Sequence, residues 1–339
     1  MTNKIKKNIF WLILLVAGSA WILSNNFDKQ KYHKIQGSIF GTIYAITYQY
    51  DKDIQPDVTK ELDRIDLSLS PFKEQSIISK VNRNEEVELD TLFTNVFKRA
   101  QEISKISDGA FDITVAPLVN AWGFGFKKGE FPDSLIVDSL LQYIGYEKIA
   151  LEKGKIIKEN PEIILDCSAI AKGYAVDVIG DLLESKGIKN YMIDIGGEIL
   201  TKGKNSKGDS WRIGINKPSD DPLSNNQELE LIVKIENKAL ATSGNYRNYY
   251  VKDGKKYAHT ISPKTGYPVQ HSILSSTVLA NDCMTADALA TAFMVVGLDE
   301  AKAILQKVPH VEACFIYTEE TSGEYKTFLT EGFKTFVAN

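Results

Sequence analysis

Asp287 and Thr291 are two oxygen-bearing side chains, four residues apart in the segment MTADALATA (residues 284–292). Good helix formers surround them and no breaker follows until Gly297, so the segment is predicted to be a helix. Residues four apart lie on the same helix face, and hard oxygen ligands suit Mg²⁺ or Ca²⁺ better than zinc. Spacing alone favours the other interpretation, a helix in which Thr291 bonds its own backbone and Asp287 is solvated.

A histidine precedes this helix in the segment YYVKDGKKYAHTISPKTGYP. The dipeptide Asp253-Gly254 favours a tight turn, so residues 249–251 and 256–261 are predicted to form a hairpin. The second strand must end before Pro263, which has no amide hydrogen to donate. His259 is therefore expected near a strand end, where rigid scaffolds commonly present catalytic groups. A structural role for a buried histidine remains the alternative.

Two further segments combine a buried strand with a glycine-rich or small-residue turn. In LDCSAIAKGYAVD, a strand at residues 163–165 is predicted to run through a turn into a helix that continues to Leu182. Free amides at the start of that helix, with Lys172 beside them, would suit a phosphate. In YMIDIGG, a buried strand ends on two glycines, where either a ligand comes close or the chain makes a tight turn without one.

These blocks together carry a family resemblance. SDGAFDITVAPLVNAWGFG, LDCSAIAKGYAVD, IDIGGE, ATSGNYRNYY, HTISPKTGYPV and MTADALATA follow one another in the order found in the FAD:protein FMN transferase family, also called ApbE. The chain resembles that family from residue 36 to residue 335. The resemblance, more than periodicity, implies an α+β fold with a predominantly antiparallel sheet and segregated helices.

The resemblance also assigns site residues. It implies a metal ion, expected to be Mg²⁺, held by the backbone carbonyl of Ala169 and by the side chains of Asp287 and Thr291. Ala290 stands where some relatives have another acid. The positions that correspond to FAD contacts are Phe40, Phe72, Ala110, Phe111, Asp112, Asp166, Lys172 and Ile261.

The implied activity is transfer of the FMN half of FAD to a threonine or serine of an acceptor protein, with AMP leaving. Acceptors of the family are subunits of membrane redox complexes. Such a reaction needs positioning and charge neutralisation, and His259 could take the proton of the acceptor hydroxyl. Hydrolysis of FAD to FMN and AMP is a second possibility that the sequence does not separate from the first. Flavin binding without turnover is a third, which the presence of Asp287, Thr291 and His259 disfavours.

The N-terminus indicates where the protein works. Lysines at positions 4, 6 and 7 precede fifteen mostly apolar residues, 9–23. Residues 1–30 are therefore predicted to be a signal peptide or an N-terminal membrane anchor, and residues 31–339 the catalytic domain. Positive charge before the apolar run places that domain on the outer, periplasmic side of the cytoplasmic membrane.

Composition excludes other classes of function. The net charge of −4 leaves no basic footprint, so nucleic acid is not an expected partner. Three cysteines, Cys167, Cys283 and Cys314, lack the spacing of a metal site. A hydrophobic content of 43% is enough for one large globular unit behind the N-terminal segment.

Overall fold

A computed structural model describes residues 31–125, 131–218, 228–245, 249–252, 255–319 and 324–338. The strands are β1 Tyr32–Ile39, β2 Thr42–Gln49, β3 Ile149–Glu152, β4 Lys155–Lys158, β5 Tyr191–Ile195, β6 Glu198–Lys202, β7 Trp211–Asn216, β8 Leu229–Ile235, β9 Ala239–Gly244, β10 Tyr249–Lys252, β11 Lys255–Ala258, β12 Ile273–Ala280, β13 Glu312–Thr318 and β14 Tyr325–Leu329. The helices are α1 Gln55–Leu69, α2 Ile77–Asn82, α3 Thr91–Ile106, α4 Ala116–Ala121, α5 Ser134–Leu141, α6 Ala171–Ser185, α7 Cys283–Val296, α8 Leu298–Leu305 and α9 Glu331–Lys334, and a 3₁₀ turn covers Tyr146–Lys148.

The central sheet has eight strands in the order β1-β2-β5-β6-β9-β12-β13-β14. Every neighbouring pair in it is antiparallel. Three two-stranded sheets, β3-β4, β7-β8 and β10-β11, lie outside it. The predicted α+β class with a predominantly antiparallel sheet is confirmed.

The sheet buries both of its faces, which follows from the two-residue period of its strands. On β12, Val278 belongs to the main core with helices α1, α3, α6 and α7, whereas the next residue, Leu279, belongs to a second core. That second core is closed by the β7-β8 hairpin, through residues such as Ile213 and Val233. The longer helices therefore cover one face, and the β7-β8 hairpin together with Phe333 of α9 covers the other.

A third, smaller apolar cluster lies apart from these two cores. It joins α4 and α5 to the turn that follows the predicted catalytic histidine, through Leu118, Trp122, Val137 and Ile261. The Trp122 indole Nε1–H donates to the Gly266 carbonyl at 2.8 Å. This cluster holds the HTISPKTGYP segment against the helical side of the molecule.

Two strand predictions need correction. Ile163 and Leu165 are buried, but residues 163–165 do not form a strand. The Asn82 side chain takes the place of a neighbouring strand there, because its Oδ1 accepts from the Leu165 N–H at 2.8 Å and its Nδ2 donates to the Leu165 carbonyl at 2.9 Å. The hairpin is present, but β11 ends at Ala258 instead of residue 261. Beyond that point Ile261 makes an isolated bridge to Pro268.

Other predictions fall on residues outside the described ranges. These are the N-terminal segment, residues 1–30, and the hairpin turn at Asp253-Gly254. Among the helices that the structure describes, none combines the length and the apolar character needed to cross a membrane.

Candidate active site

One large cavity lies between the central sheet, the N-terminal end of α6, the face of α7 from Asp287 to Val295, and the third apolar cluster. Its volume is about 960 Å³, at the upper end of the range for small-molecule sites. The structure brings every site residue predicted from the sequence to its wall: Phe40, Phe72, Ala110, Phe111, Asp112, Asp166, Ala169, Lys172, His259, Ile261, Asp287 and Thr291. Their individual roles stay predictions.

Helices α6 and α7 hold each other at this wall by reciprocal hydrogen bonds. Gly173, the third residue of α6, donates its N–H to Asp287 Oδ2 at 3.0 Å. In return, Asp177 of α6 accepts the N–H groups of Cys283 and Met284, at 2.7 and 2.8 Å. All three donors are first-turn N–H groups, which have no partner within their own helix. Each helix therefore satisfies the start of the other, and the register of Asp287 against α6 is fixed.

Gly173 also sets the distance between the two helices. A Cβ atom built there would lie 2.4 Å from the Cys283 carbonyl oxygen and 2.8 Å from the Asp287 Cβ. Only a residue without a side chain fits such an approach of one helix to another. The close approach and the hydrogen bonds together position the Asp287 carboxylate.

The proposed cation ligands fit a set of hard oxygen donors. Asp287 is 3% exposed, and the Thr291 hydroxyl lies 3.2 Å from the Ser243 hydroxyl of β9. Ala169 lies in the turn that leads into α6, beside both of them on the cavity wall. Within the described ranges no group of three or more His, Cys, Asp and Glu side chains could hold a metal ion. The predicted set is of another kind, one carboxylate with a hydroxyl and a backbone carbonyl, which Mg²⁺ accepts.

Lys172 supplies positive charge at the same place. Its Nζ lies 2.6 Å from Oε1 of Glu198, the first residue of β6. Burial opposes the charge on Lys172, but the carboxylates of Asp287 and Glu198 outweigh it and raise the pKa of the ammonium group. Lys172 is therefore a permanent cation between two acids, and 30% of its side chain stays accessible from the cavity.

The predicted FAD-contact loop, residues 110–112, is tied to the turn before α6. The Asp166 N–H donates to the Ile113 carbonyl at 2.7 Å. Asp112 Oδ1 accepts from both the N–H and the hydroxyl of Thr114, at 2.8 and 2.7 Å. Burial raises the pKa of Asp112 and of Asp166, and hydrogen bonds to their oxygens offset part of the shift. Both acids are rigidly held.

The remaining predicted contacts form the rim of the cavity. Phe40 occupies the β1-β2 turn with a positive φ of 53°, whereas Phe72 follows α1 and is 73% exposed. His259 comes directly after β11, and its ring lies 6.3 Å from the Phe124 ring in an edge-to-face arrangement. A partly open aromatic rim of this kind can cover a flat ring system.

Three polar residues were missed from the sequence, two on the cavity wall and a third, Asp177, that holds α6 to α7. Glu198, Ser243 and Asp177 lie in the quoted blocks IDIGGE, ATSGNYRNYY and LDCSAIAKGYAVD, yet none was given a role. A signal was present for Glu198 alone, since this acid begins a strand directly after two glycines, where a close approach of a ligand was considered. The other two depend on contacts between elements distant in sequence.

Comparisons with known proteins agree with this geometry. The model of the ApbE family matches residues 40–315. The chain belongs to the ApbE family. It is 36% identical to a protein of Vibrio cholerae over 97% of this chain and 99% of that one, and 37% identical to a protein of Haemophilus influenzae over 80% and 83%. Both relatives are named FAD:protein FMN transferase.

Solved structures of the family have the same fold. The flavin transferase ApbE from Vibrio cholerae superposes with a TM-score of 0.82 at 35% identity, over 90% of this chain and 99% of that one. The ApbE protein of Thermotoga maritima superposes with a TM-score of 0.79 at 27% identity, over 91% and 100%. The predicted family is confirmed, and with it the expectation of a transferase.

Proposed function

We propose that this ApbE-family chain transfers the FMN half of FAD to a threonine or serine hydroxyl of an acceptor protein through a phosphoester bond, releasing AMP. The observation that carries the proposal is one large cavity, in which a buried acid, two hydroxyls and a lysine at a helix start face an aromatic rim and a histidine. A volume of about 960 Å³ is large enough for a dinucleotide.

Different residues of the chain would bind the diphosphate, the flavin and the metal ion. Lys172 would bind the diphosphate with its ammonium group, while Phe40 and Phe72 would flank the flavin. The Gly173 N–H at the start of α6 is already bonded to Asp287 Oδ2 and does not contribute. Asp287, Thr291 and the Ala169 carbonyl would hold Mg²⁺. When bound, such an ion neutralises phosphate charge and polarises a phosphoryl oxygen.

In the transfer step, the acceptor oxygen forms a bond to the flavin-side phosphorus. The bond from that phosphorus to the bridging oxygen breaks, and AMP leaves with the bridging oxygen. His259 would take the proton of the acceptor hydroxyl, which is a contribution of about 10² to 10⁴-fold in general. Its position directly after β11, on the cavity wall, supports this role.

The reaction is assigned to the outer side of the cytoplasmic membrane. The lysines before the apolar residues 9–23 support export, and subunits of membrane redox complexes are the acceptors that this location favours. A periplasmic reporter fused after Asn339 is expected to be active. A reporter that works only in the cytoplasm is expected to be silent, and a strong cytoplasmic signal would overturn the assignment.

The test of the function uses the full-length chain in mild detergent with FAD, Mg²⁺ and candidate acceptor subunits. Intact-protein mass spectrometry is expected to show an acceptor heavier by one FMN, and the added mass should disappear when the acceptor hydroxyl is replaced by alanine. AMP release without any acceptor would show FAD hydrolysis instead. FAD binding without AMP release under either condition would contradict both enzymatic functions.

A further inference from the structure

The two carboxylate oxygens of Glu198 have different surroundings. Oε1 receives the Lys172 ammonium at 2.6 Å. Oε2 is buried and has no hydrogen-bond partner among the residues that the structure describes. The side chain is only 4% exposed, and Glu198 lines the cavity with Lys172 and Asp287.

The backbone before Glu198 is built for this placement. Gly196 and Gly197 both have positive φ angles, 68° and 102°. The Gly196 N–H donates to the Ile43 carbonyl at 3.0 Å, and the Gly197 N–H donates to Asp194 Oδ1 at 2.9 Å. A Cβ at Gly196 would lie 3.4 Å from Glu198 Oε2. The turn therefore fixes the backbone at the start of β6, and a glycine at position 196 leaves room for the Glu198 carboxylate.

A buried, unpaired carboxylate oxygen is costly, because folding removes its water without replacing the hydrogen bond. Such a cost is tolerated where a ligand supplies the missing donor. The cation beside Oε1 and the predicted metal ligand Asp287 mark this end of the cavity as the place of the diphosphate. The groups of FAD next to its diphosphate are sugar hydroxyls, those of the ribityl chain on one side and of the ribose on the other.

Building on the proposed function, we propose that Glu198 is a further ligand-binding residue whose Oε2 accepts a hydrogen bond from a sugar hydroxyl of FAD while its Oε1 holds Lys172. Each oxygen of Glu198 then has its own role. It orients the lysine, and it selects a ligand that carries a hydroxyl close to its phosphate.

The test compares the wild-type chain with Glu198→Gln, which keeps the shape and one oxygen for Lys172 but replaces Oε2 with an uncharged amide nitrogen that cannot accept a hydrogen bond. Hydrogen bonds to charged groups are about twice as strong as neutral ones. The probes are riboflavin and adenosine, which carry the ribityl and the ribose hydroxyls without any phosphate. Any change in the lysine–phosphate contact therefore cannot alter their affinity. EDTA is present throughout, to remove metal effects.

A matched control is available on the same two elements. Glu184 of α6 pairs with Lys202 of β6 at 3.0 Å, as Lys172 of α6 pairs with Glu198 of β6, but it lies away from the cavity. Glu184→Gln is expected to leave both affinities within about twofold of wild type. Glu198→Gln is expected to weaken riboflavin or adenosine about tenfold, and whichever ligand loses affinity identifies the hydroxyl.

Melting temperature separates binding from folding. Because Glu198→Gln leaves the Lys172 ammonium with the Asp287 carboxylate alone, the melting temperature without ligand is expected to fall, so both affinities are measured at a temperature at which the variant is fully folded. Unchanged affinity for both probes would overturn the inference, and so would a parallel loss of both probes at that temperature. If the wild-type chain bound no FAD at all, the proposed function itself would fail. If the wild-type chain bound FAD but Glu198→Gln had the same affinity for riboflavin and adenosine as the wild type, only the role of Glu198 would be wrong.

Discussion

Gly173→Ala tests how the site is positioned, because it adds one methyl group where α6 meets α7. The added carbon would lie 2.4 Å from the Cys283 carbonyl oxygen and 2.8 Å from the Asp287 Cβ. Neither atom is at the end of a flexible side chain, so the helices must move apart. Asp287 moves with α7, and its hydrogen bond from the Gly173 N–H is lengthened or lost.

The expected magnitude combines two opposing effects. Replacing glycine by alanine inside a helix stabilises it by about 1 kcal/mol. Overpacking a rigid contact costs about 1–3 kcal/mol, and a contact at 2.4 Å with a backbone atom belongs at the upper end. We expect a net loss of about 1–2 kcal/mol in the free energy of unfolding. Loss of a group that orients a metal ligand weakens metal affinity about 10- to 100-fold.

The matched control is Gly180→Ala, on the same helix. There the nearest atom is the Cδ2 of Leu200, 2.7 Å away at the end of a flexible side chain. Urea unfolding should therefore show Gly180→Ala at or slightly above wild-type stability, with Gly173→Ala clearly below it. The Mg²⁺ concentration for half-maximal FMN transfer should rise only for Gly173→Ala. Equal Mg²⁺ requirements in the two variants would refute the argument that this helix contact positions Asp287.

Three further outcomes are expected. Asp287→Asn should abolish the response of transfer to Mg²⁺ while the chain stays folded by circular dichroism, and full activity of this variant in EDTA would remove the metal assignment. Burial lowers the pKa of His271, whose Nε2 lies 2.7 Å from the Met294 carbonyl oxygen. The unfolded chain therefore binds more protons below about pH 6.5, and the free energy of unfolding should fall on acidification from there, less steeply in His271→Gln. Trp122→Phe leaves the Gly266 carbonyl without its donor and should cost about 1–3 kcal/mol in urea unfolding; wild-type stability would contradict that.

The parts of the fold that the sequence predicted are those with local causes. Helix α7 ends at Val296, directly before Gly297 as expected, since its alanine-rich run has no earlier breaker. The hairpin of β10 and β11 follows from the turn preference of Asp253-Gly254, with Lys252 opposite Lys255. Helical spacing also placed Asp287 and Thr291 on one wall of the cavity. Each of these depends on residues within a few positions of one another.

The errors and omissions concern partners that are distant in the chain. The apolar run at residues 163–165 indicated burial correctly but not its partner, because Asn82 lies 83 residues before Leu165. Propensity carries no information about a side-chain amide that replaces a strand. The pairing of Lys172 with Glu198 likewise requires α6 to pack across β6, which only the assembled sheet determines.

The reciprocal contacts of α6 and α7 bring two sequence blocks, AIAKGYAVD and MTADALATA, together at this site. The block AIAKGYAVD gives Lys172 to the cavity and, through the Gly173 N–H, fixes the acid of the other helix. It also contains Asp177, whose carboxylate accepts hydrogen bonds from the first two N–H groups of α7. The block MTADALATA in turn supplies the acid and the hydroxyl. Neither helix could present its groups in the observed positions without the other, so the unit that positions the chemistry is the helix pair and not either motif alone.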